Sequence, residues 1–228
     1  MPTAASAGGA APAARIVLRP FANPFALGFL GLAGATIVLS GQEIGWIPDH
    51  EWLQVAIIIL VSAPVLQLIS CVFGFLGRDP VAATGMGLLA VSWAAIGVVH
   101  ALSVPHGRSP ALGTFLLLAA AGLSLSAAMA GRTKVLPAMV MGLSALRFFT
   151  TALYEVLGGS DLKLAAAAVG CLLTVVAVYG AVAMELEGLE HRAVLPTLRR
   201  GRGAAALEPD LAEQIRFVAA EPGVRNQL

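Results

Sequence analysis

Six long apolar segments, separated by short polar or turn-forming breaks, are the feature that most constrains how this chain can fold. Each segment is close to the roughly 20 residues that an α-helix needs to cross a bilayer. The predicted spans are residues 24–42, 53–76, 81–104, 110–130, 135–157 and 163–186. Apolar residues make up 58% of the sequence and charged residues 12%, a balance that no soluble core of this length requires. We therefore predict an all-α membrane protein with six transmembrane helices.

The arginine and lysine residues predict how these spans are oriented, because cytoplasmic loops carry an excess of both. One side of the predicted bundle holds Arg15, Arg19, Arg78, Arg132, Lys134, Arg192, Arg199, Arg200 and Arg202. The other side holds only Arg108 and Lys163. Both termini are thus predicted to be cytoplasmic, in a multi-pass protein of the cytoplasmic membrane. The 42–52 loop, which carries Glu43, Asp49 and Glu51, is predicted to face outward.

The composition also predicts where the membrane domain begins and ends. Residues 1–20 are rich in Ala, Gly, Pro and Ser and are expected to form a disordered tail. The first span is longer than the apolar region of a signal peptide, so we expect it to be retained as a helix. The transmembrane domain is assigned to residues 21–190 and a cytoplasmic tail to residues 191–228. Within that tail, the segment from Pro209 to Ala220 is either a short amphipathic helix or loosely ordered.

Several classes of function are disfavoured by the residues. A net charge of +1 gives no basis for nucleic-acid binding. Cys71 and Cys171 lie in apolar runs, and no Cys/His/Asp cluster has metal-ligand spacing, so neither a metal nor a cofactor is expected. The spans contain no Ser/His/Asp arrangement or paired carboxylates that would indicate an enzyme. Gly28, Gly31 and Gly34 lack the preceding strand of a nucleotide fingerprint, and close helix packing explains them better.

Three leucines are candidates for a narrow point in a pore. Spans one, three and five run in the same direction, and Leu32, Leu89 and Leu143 each lie eight residues from the start of their span. At the rise of an α-helix all three lie roughly 12 Å deep. Leucines at one depth could form a hydrophobic constriction that resists hydration, or they could be ordinary packing residues.

Arg147 is the most informative single residue, because it lies near the predicted bilayer midplane on the same helical stripe as Leu143. A charge at that depth must face a cavity or a partner rather than lipid. A guanidinium binds a carboxylate through two parallel hydrogen bonds, so one interpretation is an anion site just outside the constriction. The alternatives are a subunit contact or a buried pair with Glu155, although Glu155 lies roughly 80° around the helix.

Further polar residues in the spans have two interpretations each. His100, near the outer end of span three, is either a proton relay or an interfacial residue without a transport role. Gln67 either hydrogen-bonds backbone that Pro64 leaves free or contacts the substrate, and the first is favoured. The glutamates at the inner end of span six are expected to be solvated; they are Glu185, Glu187 and Glu190.

The segment from Asn23 to Phe29 reads N-P-F-A-L-G-F, which is similar to an N-P-A-P-L-G-L signature at the start of a first helix. Other matching positions are Gly45-Trp46, Gln67, Ser92-Trp93, Tyr179-Gly180-Ala181, Glu187 and Ala193-Val194-Leu195-Pro196. On these residues the chain resembles the acetate uptake transporters of the succinate–acetate permease type. Ala26 and Phe29 depart from the signature, and Arg147 has no counterpart in the family, which makes the chain a divergent member.

The resemblance implies six helices around a pore in each protomer, a ring of six protomers, and a fold similar to urea channels. It implies transport of acetate and related carboxylates, by proton symport or as an anion channel. It also implies that the constriction is formed by Leu32, Leu89 and Leu143, where aromatic rings stand in better-known members at the first two positions. A faint echo between NPFALGFLGLAGA and SPALGTFLLLAAAG is compatible with an inverted three-helix repeat.

The predicted function is therefore passage of a small monocarboxylate across the membrane, with succinate as a larger candidate. Arg147 would gather the anion, the three leucines would partly desolvate it, and it would leave near Asn23 and Pro24. Protons, the lipid bilayer and further copies of the chain are the expected partners. The alternatives are a channel for neutral solutes such as urea or ammonia, and a membrane anchor that acts through its tail without transporting anything.

Overall fold

A computed structural model describes residues 22–105, 107–190 and 193–201. The helices are α1 (Phe25–Glu43), α2 (Trp52–Leu76), α3 (Pro80–Leu102), α4 (Pro110–Ala130), α5 (Val135–Leu157) and α6 (Ser160–Glu190). All six are long and apolar enough to cross a membrane, so the predicted six-span, all-α membrane fold is confirmed. The predicted N-terminal tail (residues 1–20) and the predicted amphipathic helix (Pro209 to Ala220) lie outside the described residues.

Short capping motifs set where two of the helices begin. Both α3 and α4 have proline as their first residue, where the missing N–H costs no intrahelical hydrogen bond. The side chain of Asp79 accepts a hydrogen bond from the N–H of Ala82 at 3.2 Å, and that of Ser109 accepts one from Leu112 at 3.2 Å. The RDP and RSP breaks in the sequence therefore act as true helix starts.

The six helices form a closed ring. Each helix packs against the next one in the sequence, and α6 packs back against α1. Large side chains fill the interior of the ring and are almost completely inaccessible to solvent: Phe29, Leu32, Met86, Leu89, Trp93, Met141 and Phe148. Apolar side chains such as Val61, Leu118 and Val175 are exposed on the outside of the ring, which suits contact with lipid.

Glycines allow methionines to cross the interior of the ring. A Cβ added to Gly28 of α1 would lie 2.7 Å from the Met86 sulfur, and one added to Gly85 of α3 would lie 2.7 Å from the Met141 sulfur. These small residues make room for the methionine side chains that fill the interior between α1, α3 and α5. Gly34 differs, because an added Cβ would meet nothing within 4 Å, so the packing explanation does not extend to it.

The chain after α6 packs against one end of the ring. We call this end, where α1, α3 and α5 begin, the inner end, following the predicted orientation, and the opposite end the outer end. The N–H of Arg200 donates to the carbonyl of Thr133 at 2.9 Å, Arg199 forms an ion pair with Glu187, and Thr197 is buried. We call this arrangement the inner-end clasp. Glu187 is 8% exposed, so the prediction that it is solvated is wrong.

Candidate functional site

A pocket with both polar and apolar walls opens at the outer end of the ring, and all six helices contribute to it. Its empty space is about 720 Å³, including solvent at the mouth. Carboxylates, an imidazole, a phenol and an ammonium group lie among apolar side chains. The lining residues are Leu39, Gln42, Glu43, Asp49, Trp52, Ile96, Val99, His100, Ser103, Val104, Pro105, Gly107, Leu112, Thr151, Tyr154, Glu155 and Lys163. We call this space the outer pocket.

A buried ion pair lies at the floor of the outer pocket. Arg147 Nη2 donates a hydrogen bond to Glu43 Oε2 at 2.8 Å, with the arginine side chain 0% exposed and the glutamate side chain 10% exposed. Glu43 lines the pocket and Arg147 does not; Thr151, one turn outward on α5, lines it instead. A buried guanidinium is tolerated only with such a partner. The pair therefore places the positive charge just below the pocket.

The partner of Arg147 corrects two sequence-based interpretations. Glu43 was predicted to face outward in the 42–52 loop, but it is the last residue of α1 and pairs inside the ring. The alternative that Arg147 pairs with Glu155 is wrong, because Glu155 Oε2 accepts the N–H of Ser109 at 2.6 Å. The outer carboxylate of α5 instead caps the start of α4.

Unpartnered polar groups surround the guanidinium. Four buried atoms have no hydrogen-bond partner among the described residues: Nε and Nη1 of Arg147, Oγ1 of Thr36 and Oγ of Ser40. A Cβ added to Gly170 of α6 would collide with Ser40 Oγ and lie 3.3 Å from Arg147 Nε, so the guanidinium packs among α1, α5 and α6. Buried donors without partners are costly. They favour binding of a water molecule or of an anion's oxygen atoms at this point.

The polar face of α1 could have been found from the sequence. Thr36, Ser40 and Glu43 follow the i, i+4, i+7 spacing of one helical face. Of these three residues, only Glu43 figures in the sequence-based predictions, and there as part of the outward-facing 42–52 loop. Their spacing indicates a polar stripe along the ring side of α1, although it does not indicate which helix supplies the partner.

Gly170 supplies a direct test of this packing. We expect Gly170→Ala to destabilise the protein by about 1–3 kcal/mol, because the new methyl group must displace Ser40 or the guanidinium. The matched control is Gly34→Ala, where the added Cβ meets open space and removal of a helical glycine is worth about 0.5–1 kcal/mol in the stabilising direction. Thermal unfolding in detergent measures both. Equal melting temperatures for the two variants would contradict the packing described here.

The three candidate pore leucines differ in burial. Leu32 and Leu89 are 0% exposed in the interior of the ring, whereas Leu143 is partly buried and packs against that core. The buried face of α5 passes instead through Met141, Ser144 and Arg147. That the three leucines form the narrowest point of a pore therefore stays a prediction.

Asn23 and Pro24, the residues predicted to release the substrate, lie at the inner end and organise the start of α1. Asn23 Oδ1 accepts the N–H of Phe25 at 3.1 Å, and the carbonyl of Pro24 accepts a hydrogen bond from Ser70 Oγ at 2.7 Å. Both residues thus have structural partners at the opposite end of the ring from the outer pocket. Their contact with a substrate stays a prediction.

Gln67 and Trp93 form a second set of buried polar groups. Four buried atoms here have no hydrogen-bond partner among the described residues: both amide atoms of Gln67, the indole nitrogen of Trp93 and the hydroxyl oxygen of Ser92. Gln67 therefore does not bond the backbone near Pro64, and the favoured interpretation of that residue is wrong. The Trp93 ring packs edge-to-face on Phe148, with centroids 5.7 Å apart. Buried polar atoms of this kind ordinarily bind water or a ligand.

His100 faces the outer pocket rather than lipid. Its Nε2 lies 2.8 Å from Gln42 Oε1, at hydrogen-bond distance, and its ring lies edge-on to Trp52 at 6.2 Å. Gln42 precedes Glu43 in α1, and His100, Gln42 and Glu43 all line the outer pocket. A relay role for His100 stays a prediction.

Comparisons with known proteins bear on the fold. No protein-family model and no curated protein sequence matches the chain. Among solved structures, the chain is similar to the bacterial acetate channel SatP, with a TM-score of 0.68 and 18% sequence identity. The match covers 78% of this chain and 99% of that one. The chain is therefore a multi-pass helical membrane protein with the fold of SatP. At the level of the fold, this agrees with the resemblance carried by the residues from Asn23 to Pro196.

Proposed function

We propose that the protein is a divergent acetate uptake transporter that carries small carboxylates, acetate-like monocarboxylates first, across the cytoplasmic membrane. The observation that carries this proposal is the fully buried Arg147 at the floor of the outer pocket, in a ring with the fold of an acetate channel. A guanidinium binds carboxylates with matched geometry. Neither a channel for neutral solutes nor a membrane anchor requires a cation at this position.

The unpartnered nitrogens of Arg147 indicate how a carboxylate would bind. Glu43 occupies Nη2, and Nε and Nη1 have no partner among the described residues. The buried Ser40 hydroxyl and Arg147 Nε both lie near the position that a Cβ on Gly170 would take, as does the Thr36 side chain, whose hydroxyl is also buried. A substrate of two or three carbons can offer its carboxylate to these donors while its short apolar end packs against the interior of the ring.

The interior below Arg147 favours small and weakly charged solutes. Leu32, Leu89 and Met141 are buried there, and an apolar constriction resists hydration of whatever passes it. A carboxylate crosses such a region at lower cost when a proton accompanies it. This favours proton symport over a permanently open anion channel, with release near Asn23 at the inner end. The predicted cytoplasmic termini and hexameric assembly remain part of the proposal.

A second candidate function is passage of a neutral solute such as urea. The specific observation in its favour is that Glu43 already neutralises Arg147, so the pair presents no net charge to the pocket. Flux of urea that is insensitive to salt and to membrane potential would favour this candidate.

Uptake of labelled acetate into proteoliposomes tests the proposed function. With an inward proton gradient, we expect uptake clearly above that of empty liposomes, which reports passive entry of acetic acid. Uptake that follows membrane potential and ignores the gradient would indicate an anion channel instead of a symporter. The protein is first shown to be folded by its thermal unfolding transition. If such protein gives no uptake above empty liposomes, carboxylate transport is contradicted and the neutral-solute candidate is favoured.

A further inference from the structure

We propose that Glu43 couples transport to protons by competing with the substrate for Arg147. In the resting state the Glu43 carboxylate holds the guanidinium. A substrate carboxylate replaces it, and Glu43 takes up a proton as it is displaced. This inference rests on the proposed carboxylate transport and assigns its coupling to one residue pair.

The two members of the pair differ in their access to solvent. Glu43 lines the outer pocket and its side chain is 10% exposed, whereas Arg147 is 0% exposed and lies behind it. A substrate or a proton arriving through the pocket therefore reaches Glu43 first. Since a single hydrogen bond at 2.8 Å joins the two side chains, displacement of Glu43 breaks one specified contact.

Charge balance favours a displacement that involves a proton. One buried guanidinium neutralises one carboxylate, and a second carboxylate in the same low-dielectric region leaves an uncompensated negative charge. Protonation of Glu43 removes that charge. An O–H bond forms on the Glu43 carboxylate, and the hydrogen bond from Arg147 Nη2 passes to the substrate. For the substrate to leave toward the inner end, the Glu43 O–H bond breaks and its proton passes to the substrate carboxylate, which crosses the apolar interior as the neutral acid. Glu43, again ionised, then pairs with Arg147.

Other charged and titratable groups face Glu43 across the pocket, and the test must separate them from it. Among the described lining residues, α3 contributes His100, α5 contributes Tyr154 and Glu155, α6 contributes Lys163, and the segment before α2 contributes Asp49. None of these forms the contact with Arg147 Nη2, which is made by Glu43. Competition for the guanidinium is therefore specific to Glu43.

The first test replaces Glu43 with glutamine, which keeps the shape of the side chain but cannot titrate. We expect acetate uptake by Glu43→Gln to lose its response to an inward proton gradient and to become driven by membrane potential, because the anion then binds Arg147 without a proton. The matched control is Glu51→Gln, the same substitution at the outer end but outside the pocket. It should keep the wild-type response. A wild-type response in Glu43→Gln would overturn the inference.

The second test does not depend on the variant folding. Acetate is titrated into wild-type protein in weakly buffered detergent, with a pH indicator to count protons and intrinsic tryptophan fluorescence to follow binding. We expect uptake of about one proton per acetate bound, and an apparent affinity that rises about tenfold for each unit that the pH falls while free Glu43 is ionised. Binding without proton uptake would overturn the inference.

The outcomes for the two proposals are distinct. Absence of acetate binding and of acetate uptake by folded wild-type protein contradicts the proposed function itself. Uptake that is present but independent of protons in the wild type leaves carboxylate transport standing and contradicts only the role of Glu43. The same titration is applied to Glu43→Gln where this variant folds. If the variant still takes up a proton when acetate binds, the proton belongs to another group and the inference is overturned.

Discussion

Acetate uptake is expected to fall about tenfold or more when Arg147 is replaced by leucine, because the guanidinium supplies the charge-assisted hydrogen bonds that offset the desolvation of a carboxylate. A charge-assisted hydrogen bond is worth about 1.5–3 kcal/mol, and about 1.4 kcal/mol corresponds to a factor of ten. Urea flux, measured in the same proteoliposomes, should change far less. Uptake of labelled acetate and of labelled urea by Arg147→Leu and wild-type protein gives the comparison.

The control for this variant addresses its stability. Arg147→Leu leaves the Glu43 carboxylate buried without a partner, which on its own costs several kcal/mol. The double variant Glu43→Gln/Arg147→Leu removes both charges and should recover the melting temperature without recovering acetate uptake. Equal loss of acetate and urea flux in the double variant would show that Arg147 has a structural role rather than a role in anion binding.

Replacement of Leu89 with alanine is expected to admit larger carboxylic acids, such as butyrate and succinate, relative to acetate. Leu89 is 0% exposed in the interior of the ring, so truncation leaves a cavity and costs about 2–5 kcal/mol of stability. The same cavity widens the proposed constriction. Competition of a series of acids against labelled acetate uptake measures the change in profile.

Leu118→Ala is the matched control for this widening. Leu118 is 73% exposed on the outside of the ring, so its truncation removes the same atoms without opening the interior. We expect an unchanged substrate profile in this variant. If Leu89→Ala also keeps the wild-type profile while remaining folded, Leu89 does not line the narrowest point, and the buried methionines become the better candidates for it.

The architecture could be predicted from the sequence because hydropathy and turn residues are local signals. Runs of about 20 apolar residues require helices in a bilayer, and motifs such as Asp79-Pro80 mark where they begin. The predicted spans consequently agree with the six helices to within a few residues at most ends, with α6 extending beyond its predicted span at both ends, from Ser160 to Glu190.

The contacts of the site could be predicted only in part, because they depend on which helices are neighbours. The depth of Arg147 indicated that it needed a partner, and the structure provides one in Glu43, 104 residues away in the sequence. A glutamate at the end of an apolar run is ordinarily a solvated residue, and the polar stripe that Glu43 shares with Thr36 and Ser40 does not indicate which helix supplies its partner. Glu187 was misjudged for the same reason, since its partner Arg199 comes from the chain beyond α6.

The inner-end clasp holds the start of α5 in place, so α5 can tilt about that end. The turn before α5 is joined to the chain beyond α6 by the hydrogen bond from Arg200 to Thr133, and Lys134 is joined to Asp79 at the start of α3 by an ion pair. Arg147 lies about 18 Å along α5 from its first residue, so a tilt of about 5° moves it by about 1.6 Å. That displacement is enough to break or form the contact with Glu43. A rocking motion too small to disturb the inner end can therefore exchange the partner of Arg147 at the outer end.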